Sequence, residues 1–167
     1  MQRAIHIFPE FKNINLIEEL RKKYDPLFGV VQPHITLVFP FESEISSLTL
    51  EEHIKNTLIG VKPFPILLKG VTGSLNNYLF LNVKKGNDNL IELHDRLYSG
   101  PLFEFMSRQH TYSPHLTVGR LKNDIEFLTA LDVTKPFEES FETIVTEVTS
   151  EVIESNGNSI IEFKVSF

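Results

Sequence analysis

One five-residue pattern occurs twice in this chain and restricts its fold more than any other feature. Pro33-His34-Ile35-Thr36-Leu37 returns as Pro114-His115-Leu116-Thr117-Val118, 81 positions later (115 − 34). Side chains two apart on a strand share a face. Each copy therefore sends one imidazole and one hydroxyl to one side and anchors itself with aliphatic side chains on the other. Proline lacks the N–H that a central ladder needs, so each Pro marks a strand start. Ordinary residue frequencies produce such a pattern in a chain of this length on the order of 1 time in 1,000, so a pair is not chance.

The flanking elements repeat as well. Alternation predicts a strand over Arg3 to Phe8, and helical spacing of Ile14, Ile17, Leu20 and Arg21 predicts a helix over Asn13 to Tyr24, stopped by Asp25-Pro26. After the first motif strand, Pro33 to Phe39, comes a helix over Leu48 to Leu58, with Thr49 to Glu52 as its capping box and Gly60 as its stop. Strands over Phe64 to Val71 and Tyr78 to Val83 flank a turn holding Gly73, Asn76 and Asn77. The order then restarts. A helix from about Asp88 to Tyr98 ends at Gly100-Pro101, and the strand His115 to Arg120 precedes a short helix from about Asp124 to Leu131. The tail alternates over Phe141 to Ser155 and Ser159 to Phe167 around Asn156-Gly157, a hairpin signal. The strands opening the two rounds, at Arg3 and Tyr78, are 75 apart (78 − 3), close to the motif offset. These offsets predict an α+β fold: two pseudo-symmetric βαβ-type lobes, with antiparallel sheets flanking a central groove. They also predict one domain over 1–167, built from half-repeats of about 1–75 and 76–167.

A duplicated imidazole suits phosphodiester cleavage, which takes one proton from the attacking oxygen and gives one to the leaving oxygen. An unperturbed histidine, with a pKa of about 6.5, does either near neutrality. His34 and His115 are thus the candidate acid–base pair. Thr36 and Thr117 are candidate ligands of the non-bridging phosphate oxygens, where charge accumulates. The scheme calls for no metal, no cofactor and no covalent intermediate. The structural alternative is a partly buried histidine on each of two amphipathic strands; the duplication weighs against it.

Composition bounds the partners. A formal charge of −6 argues against a protein that coats long nucleic acids, while leaving room for a cleft that captures one phosphate or an RNA end. The basic clusters Arg21-Lys22-Lys23 and Lys84-Lys85 read as a solvated helix end and strand end. With no Cys there is no disulfide, no thiolate nucleophile and no Cys-ligated zinc. No apolar run approaches the roughly 20 residues of a membrane span, and the N-terminus does not read as a secretory signal. A cytoplasmic protein without a membrane partner is expected; the oligomeric state stays open.

The paired His-x-Thr-x signature resembles that of the 2H phosphoesterase superfamily, which includes 2′-5′ RNA ligase-like proteins and cyclic nucleotide phosphodiesterases. Tyr24-Asp25-Pro26, Leu97-Tyr98-Ser99-Gly100 and the two motifs, the second continuing into Gly119, look like its bacterial YjcG-like branch. The resemblance covers most of the chain. It implies two lobes around a water-filled groove, with His34 and His115 as acid and base and Thr36 and Thr117 on phosphate. It also implies a substrate among 2′,3′-cyclic phosphates, related cyclic phosphodiesters and 2′-5′ linkages. Two rivals remain: a module that binds an RNA end or nucleotide without turnover, and a ligase running the same site in reverse.

Secondary candidates surround the motifs. Arg120 could assist phosphate binding, but strand parity sets it opposite His115 unless Gly119 introduces a bulge. Tyr112 could stack a base or ribose, or pack on its lobe. Phe39 and Phe41 read as core or cleft lining. His110 and His94-Asp95 lack the spacing and third ligand of a zinc site. His6, alone in its strand, reads as structural, and His53 as solvent-facing. The Glu-rich stretch Glu138 to Glu142 reads as a solvated edge.

Overall fold

The alternating segments pair into a single antiparallel sheet, and the helical segments cover one of its faces. The computed structural model describes residues 1–109 and 111–167. Its elements in chain order are β1 (Gln2–Ile7), α1 (Ile14–Tyr24), β2 (Ile35–Glu42), α2 (Ser47–Thr57), β3 (Phe64–Ser74), β4 (Tyr78–Lys85), α3 (Asn87–Leu97), β5 (His115–Arg120), α4 (Asp124–Thr134), β6 (Ser140–Val145), β7 (Glu147–Ile153) and β8 (Ser159–Ser166). The sheet order is β6-β3-β4-β5-β2-β1-β7-β8. Among the described residues no helix is long and apolar enough to cross a membrane.

Alternation decides which face is buried. Ile5, Ile35, Leu37, Leu79, Leu81, Leu116 and Val118 point toward the helices and are fully buried against residues such as Ile17, Leu50, Ile54, Leu90 and Leu97. Their strand neighbours, His34, Thr36, His115 and Thr117, line the opposite face and are half-buried. The sheet is curled. Phe64, at the start of β3, stacks on Phe167 just beyond β8, with ring centroids 6.1 Å apart, although five strands separate β3 from β8 in the sheet order.

The strand order has an approximate two-fold relation about the β5–β2 junction. β5 matches β2 and β4 matches β1, as the repeated order predicts. Lobe and chain half do not coincide, however. β3, from the first half, pairs with β4 and β6, whereas β7 and β8, from the second, join β1. The sequence pattern could not reveal this exchange, because alternation fixes faces and leaves partners open.

Most element boundaries fall within a few residues of expectation, with three corrections. The tail segment over Phe141 to Ser155 is two strands; the chain breaks at Thr146 and carries β6 and β7 to distant places in the sheet, leaving only β7–β8 as the Asn156-Gly157 hairpin. The cap of α2 is Ser46, whose Oγ accepts the Thr49 N–H at 3.1 Å, so Thr49 lies inside the helix. Gly73 belongs to β3, and the turn is made by Asn76 and Asn77, which take φ of 59° and 62°.

Candidate active site

The two motifs meet where the lobes join. Among the described residues the backbone of β2 pairs with β5 at Ile35 and Leu116 alone, since both strands begin there and then run apart. Extending that register one residue either way sets His34 across from Thr117 and Thr36 across from His115. Parity places all four on the face opposite Ile35 and Leu116.

Each imidazole is oriented in the same way. His34 Nδ1–H donates to the Gln32 carbonyl at 2.8 Å, and His115 Nδ1–H donates to the Ser113 carbonyl at 2.7 Å. Fixing the proton on Nδ1 leaves Nε2 free on both rings. Burial holds both pKa values below the ordinary histidine value. At His34 the Gln32 carbonyl opposes this, Arg21 adds to it, Asp25 opposes it, and His115 adds to it; at His115 the Ser113 carbonyl opposes it. That His34 senses the charge of His115 follows from their placement on one surface.

Buried side chains shape the approach to each motif. Arg21, expected as part of a solvated basic cluster, is 1% exposed. Its Nε donates to Asp25 at 2.7 Å, and its Nη2 donates to the carbonyls of Leu27 and Val31 at 3.2 and 2.8 Å. The loop that presents Gln32 to His34 is thereby clipped to the end of α1. In the other lobe Gly119 lies under that helix end, where an added Cβ would come within 2.8 Å of the Tyr24 Cβ.

Because β5 leaves β2 after the shared rung, the backbone of β2 needs other partners, and side chains supply them. Tyr112 Oη donates to the Thr36 carbonyl at 2.8 Å, His94 Nδ1–H donates to the Leu37 carbonyl at 2.7 Å, and the Phe39 N–H donates to Tyr98 Oη at 3.0 Å. Tyr112 also stacks on His94, with centroids 3.8 Å apart. Its hydroxyl thereby holds Thr36 and the loop before His115, which is the packing role weighed for Tyr112 beside the stacking of a base or ribose.

The bulge on which Arg120 depended is present. The register of β4 with β5 shifts between Leu79–Gly119 and Phe80–Thr117, so Val118 and Gly119 are both buried and Arg120 returns to the face of His115. There its guanidinium lies 5.1 Å from the Tyr78 ring, at the far end of a row running through Phe80 to His115. A matching shift in β1–β2 exposes Phe39 at the corresponding place, while Phe41 is buried against Phe105.

His6, which reads as structural in a sequence that pairs it with no other chemical group, lies beside the first motif. β1 sets it across from Thr36, and its ring lies 4.3 Å from that of His34. Its Nε2 is 3.6 Å from the Glu151 carboxylate of β7, and its Nδ1 is buried without a partner among the described residues. Burial, then the charge of His34, lowers its pKa well below the usual value. His53, expected toward solvent, donates from Nε2 to the Leu97 carbonyl at 2.9 Å. His110 lies outside the described residues.

The family model of the 2′-5′ RNA ligase superfamily matches residues 9–156, across both motifs. The chain belongs to that superfamily. Relatives in sequence include two Bacillus proteins named "Putative phosphoesterase". The B. cereus protein is 38% identical over 132 residues, covering 75% of this chain and 73% of the relative; the B. licheniformis protein is 28% identical over 150 residues, covering 87% and 86%. Among solved structures, E. coli LigT complexed with 3′-AMP superimposes with a TM-score of 0.66 at 16% identity, over 99% of this chain and 97% of LigT. Kluyveromyces marxianus Usb1 gives 0.54 at 9% identity, over 99% and 98%. This 2′-5′ RNA ligase superfamily member thus has the LigT fold and is an enzyme of the 2H phosphoesterase class.

Proposed function

We propose that the chain is a metal-independent phosphoesterase that opens a 2′,3′-cyclic phosphate or related cyclic phosphodiester, or cleaves a 2′-5′ linkage. In this reaction His34 and His115 exchange protons with the attacking and leaving oxygens. The observation that carries this reading is the duplicated clip: two imidazoles at the one shared rung, each with Nδ1 held by the carbonyl two residues earlier and Nε2 free. A neutral ring accepts a proton at Nε2, and the same atom, once protonated, returns it. Both rings are biased toward the neutral form, so the turnover-ready state needs one added proton. An anionic phosphodiester lodged between them favours its uptake. Thr36 and Thr117, across from the opposite histidines, donate to the non-bridging oxygens as charge grows on them. LigT has been solved with 3′-AMP, NADP+ and ATP, which supports a small nucleotide as the ligand class.

The test is a panel of 2′,3′-cyclic nucleotides, ADP-ribose cyclic phosphate and 2′-5′ oligonucleotides, assayed in excess EDTA. Turnover of at least one, with a bell-shaped pH profile of kcat/KM, is expected. Tight binding of panel members with no product from any would give the molecule a binding role instead.

A further inference from the structure

A cavity of about 590 Å³ opens beside His34 on the groove face, lined by Phe8, Phe28, Gln32, Glu151, Ser159 and Ile161 among others. It adjoins the acid–base pair through two contacts. The Phe8 ring is 6.0 Å from that of His34, and Gln32 supplies the carbonyl that orients His34. Its walls are apolar and unusually exposed for large side chains: Phe28, Val30 and Ile161 are 41%, 38% and 48% exposed. The wall at Phe28 to Val31 is fixed, because Arg21 holds the carbonyls of Leu27 and Val31. A flat aromatic ring fits between such walls.

Four polar side chains line this cavity, Glu18, Gln32, Glu151 and Ser159. Glu18 accepts from Arg21 Nη1 and Gln32 is exposed, so the buried acceptor is the Glu151 carboxylate. Glu151 is 4% exposed, and its Oε2 already accepts the Ser159 hydroxyl at 2.6 Å and lies 3.6 Å from His6 Nε2. Its other oxygen accepts no hydrogen bond among the described residues. An ionised carboxylate is acceptor-only, so a ring seated here must present N–H donors toward it. Guanine offers two adjacent donors, N1–H and N2–H, that match the two lone-pair directions of a carboxylate edge. Adenine and cytosine place an acceptor nitrogen beside their amino group, and uracil flanks its single N–H with two carbonyls. One imidazole, that of His6, separates Glu151 from His34.

We propose that this cavity is the base subsite and that Glu151 makes it selective for guanine. The proposal rests on the phosphoesterase reading and narrows its substrate to guanosine 2′,3′-cyclic phosphate or a strand end terminating in guanosine. Leaving a buried acceptor opposite a mismatched base costs roughly 1–3 kcal/mol, which is on the order of 10-fold to 100-fold in kcat/KM.

The test compares kcat/KM for the four 2′,3′-cyclic nucleotides, and in parallel the affinity for 3′-GMP and 3′-AMP by calorimetry, in the native protein and in Glu151→Gln. The shape-preserving amide guards against misfolding, and Phe28→Ala, on the exposed wall, gives an independent variant. The expected result is a guanine preference of at least about tenfold that collapses toward unity in Glu151→Gln, with weaker binding of both nucleotides in Phe28→Ala. Turnover without base discrimination, turnover with a preference for another base, or a guanine preference in turnover that survives Glu151→Gln would overturn the subsite and leave the phosphoesterase reading intact. Binding without base discrimination and without turnover would overturn both. Selective 3′-GMP binding lost in Glu151→Gln, in a protein that turns over no panel member, would uphold the subsite and overturn the phosphoesterase reading. Neither turnover nor binding would overturn both.

Discussion

The lobe around His34 and the lobe around His115 share their backbone design and differ in the side chains beside it. In both, a buried proline precedes the histidine, a carbonyl two residues back holds Nδ1, and a bulge follows the threonine. Across from Thr36, however, β1 carries His6, which leads to Glu151; across from Thr117, β4 carries Phe80, stacked 3.6 Å from the His115 ring. The next groove position is Phe8 in one lobe and Asn82, bonded to the Gly70 carbonyl, in the other. Under the proposed reaction, what the two lobes keep in common is what proton transfer needs, and what they do not share is left to orient a phosphodiester whose two oxygen substituents are inequivalent.

The hardest test of this comparison is to remove each ring in turn. His34→Ala and His115→Ala should each lower kcat on the best cyclic nucleotide by about 10²–10⁴, and by similar factors, because both protons move in one turnover. Full activity in either variant would reduce the pair to a single working histidine. Thr36→Val and Thr117→Val come next, with losses of roughly 10-fold to 100-fold carried mainly by kcat, as expected for donors that strengthen in the transition state. Unequal losses would reveal which non-bridging oxygen carries more charge.

Smaller effects probe the scaffold. Gly119→Ala should destabilise by about 1–3 kcal/mol in urea, since its methyl group meets the Tyr24 Cβ. The matching bulge residue in the other lobe, Val38, already carries a side chain, so an unchanged midpoint for Gly119→Ala would show that the helix end can yield. Acid should expose the last difference. Burial lowers the pKa of His6, His34 and His115, so below the unfolded value of about 6.5 the unfolded chain binds protons that the folded chain refuses. Stability conferred by the neutral rings is complete above that pH and is lost as pH falls, by up to about 1.4 kcal/mol per unit for each group. His6→Phe should flatten the slope between pH 6.5 and 5. A slope unchanged from the native protein would place His6 outside this effect.

Much of the site was legible because its chemistry is local. A His and a Thr two apart on a strand share a face whatever the strand pairs with, so His34, Thr36, His115 and Thr117 could be grouped from the pattern alone. The same rule left Arg120 undecided, because a bulge changes parity and Gly119 only permits one. Arg21 was misread for a related reason. Its charge suggested solvent, while its burial depends on carbonyls of Leu27 and Val31 that only the folded loop presents. His6 and Glu151 are 145 residues apart and meet through the pairing of β1 with β7. No periodicity in either strand names the other, so the subsite beyond His34 had no signature. The exchange of β3 and β7–β8 between lobes escaped notice on the same ground.

That exchange decides how the molecule can be cut. Neither half-chain carries the strands of a complete lobe: a fragment ending after β3 leaves β3 without β4 and β6, and β1 without β7. The repeat is visible in the sequence but is not a portable module. Severed near the β3–β4 turn, the pieces would regain the rung that joins the two motifs only by assembling with each other, as the two parts of a split reporter do.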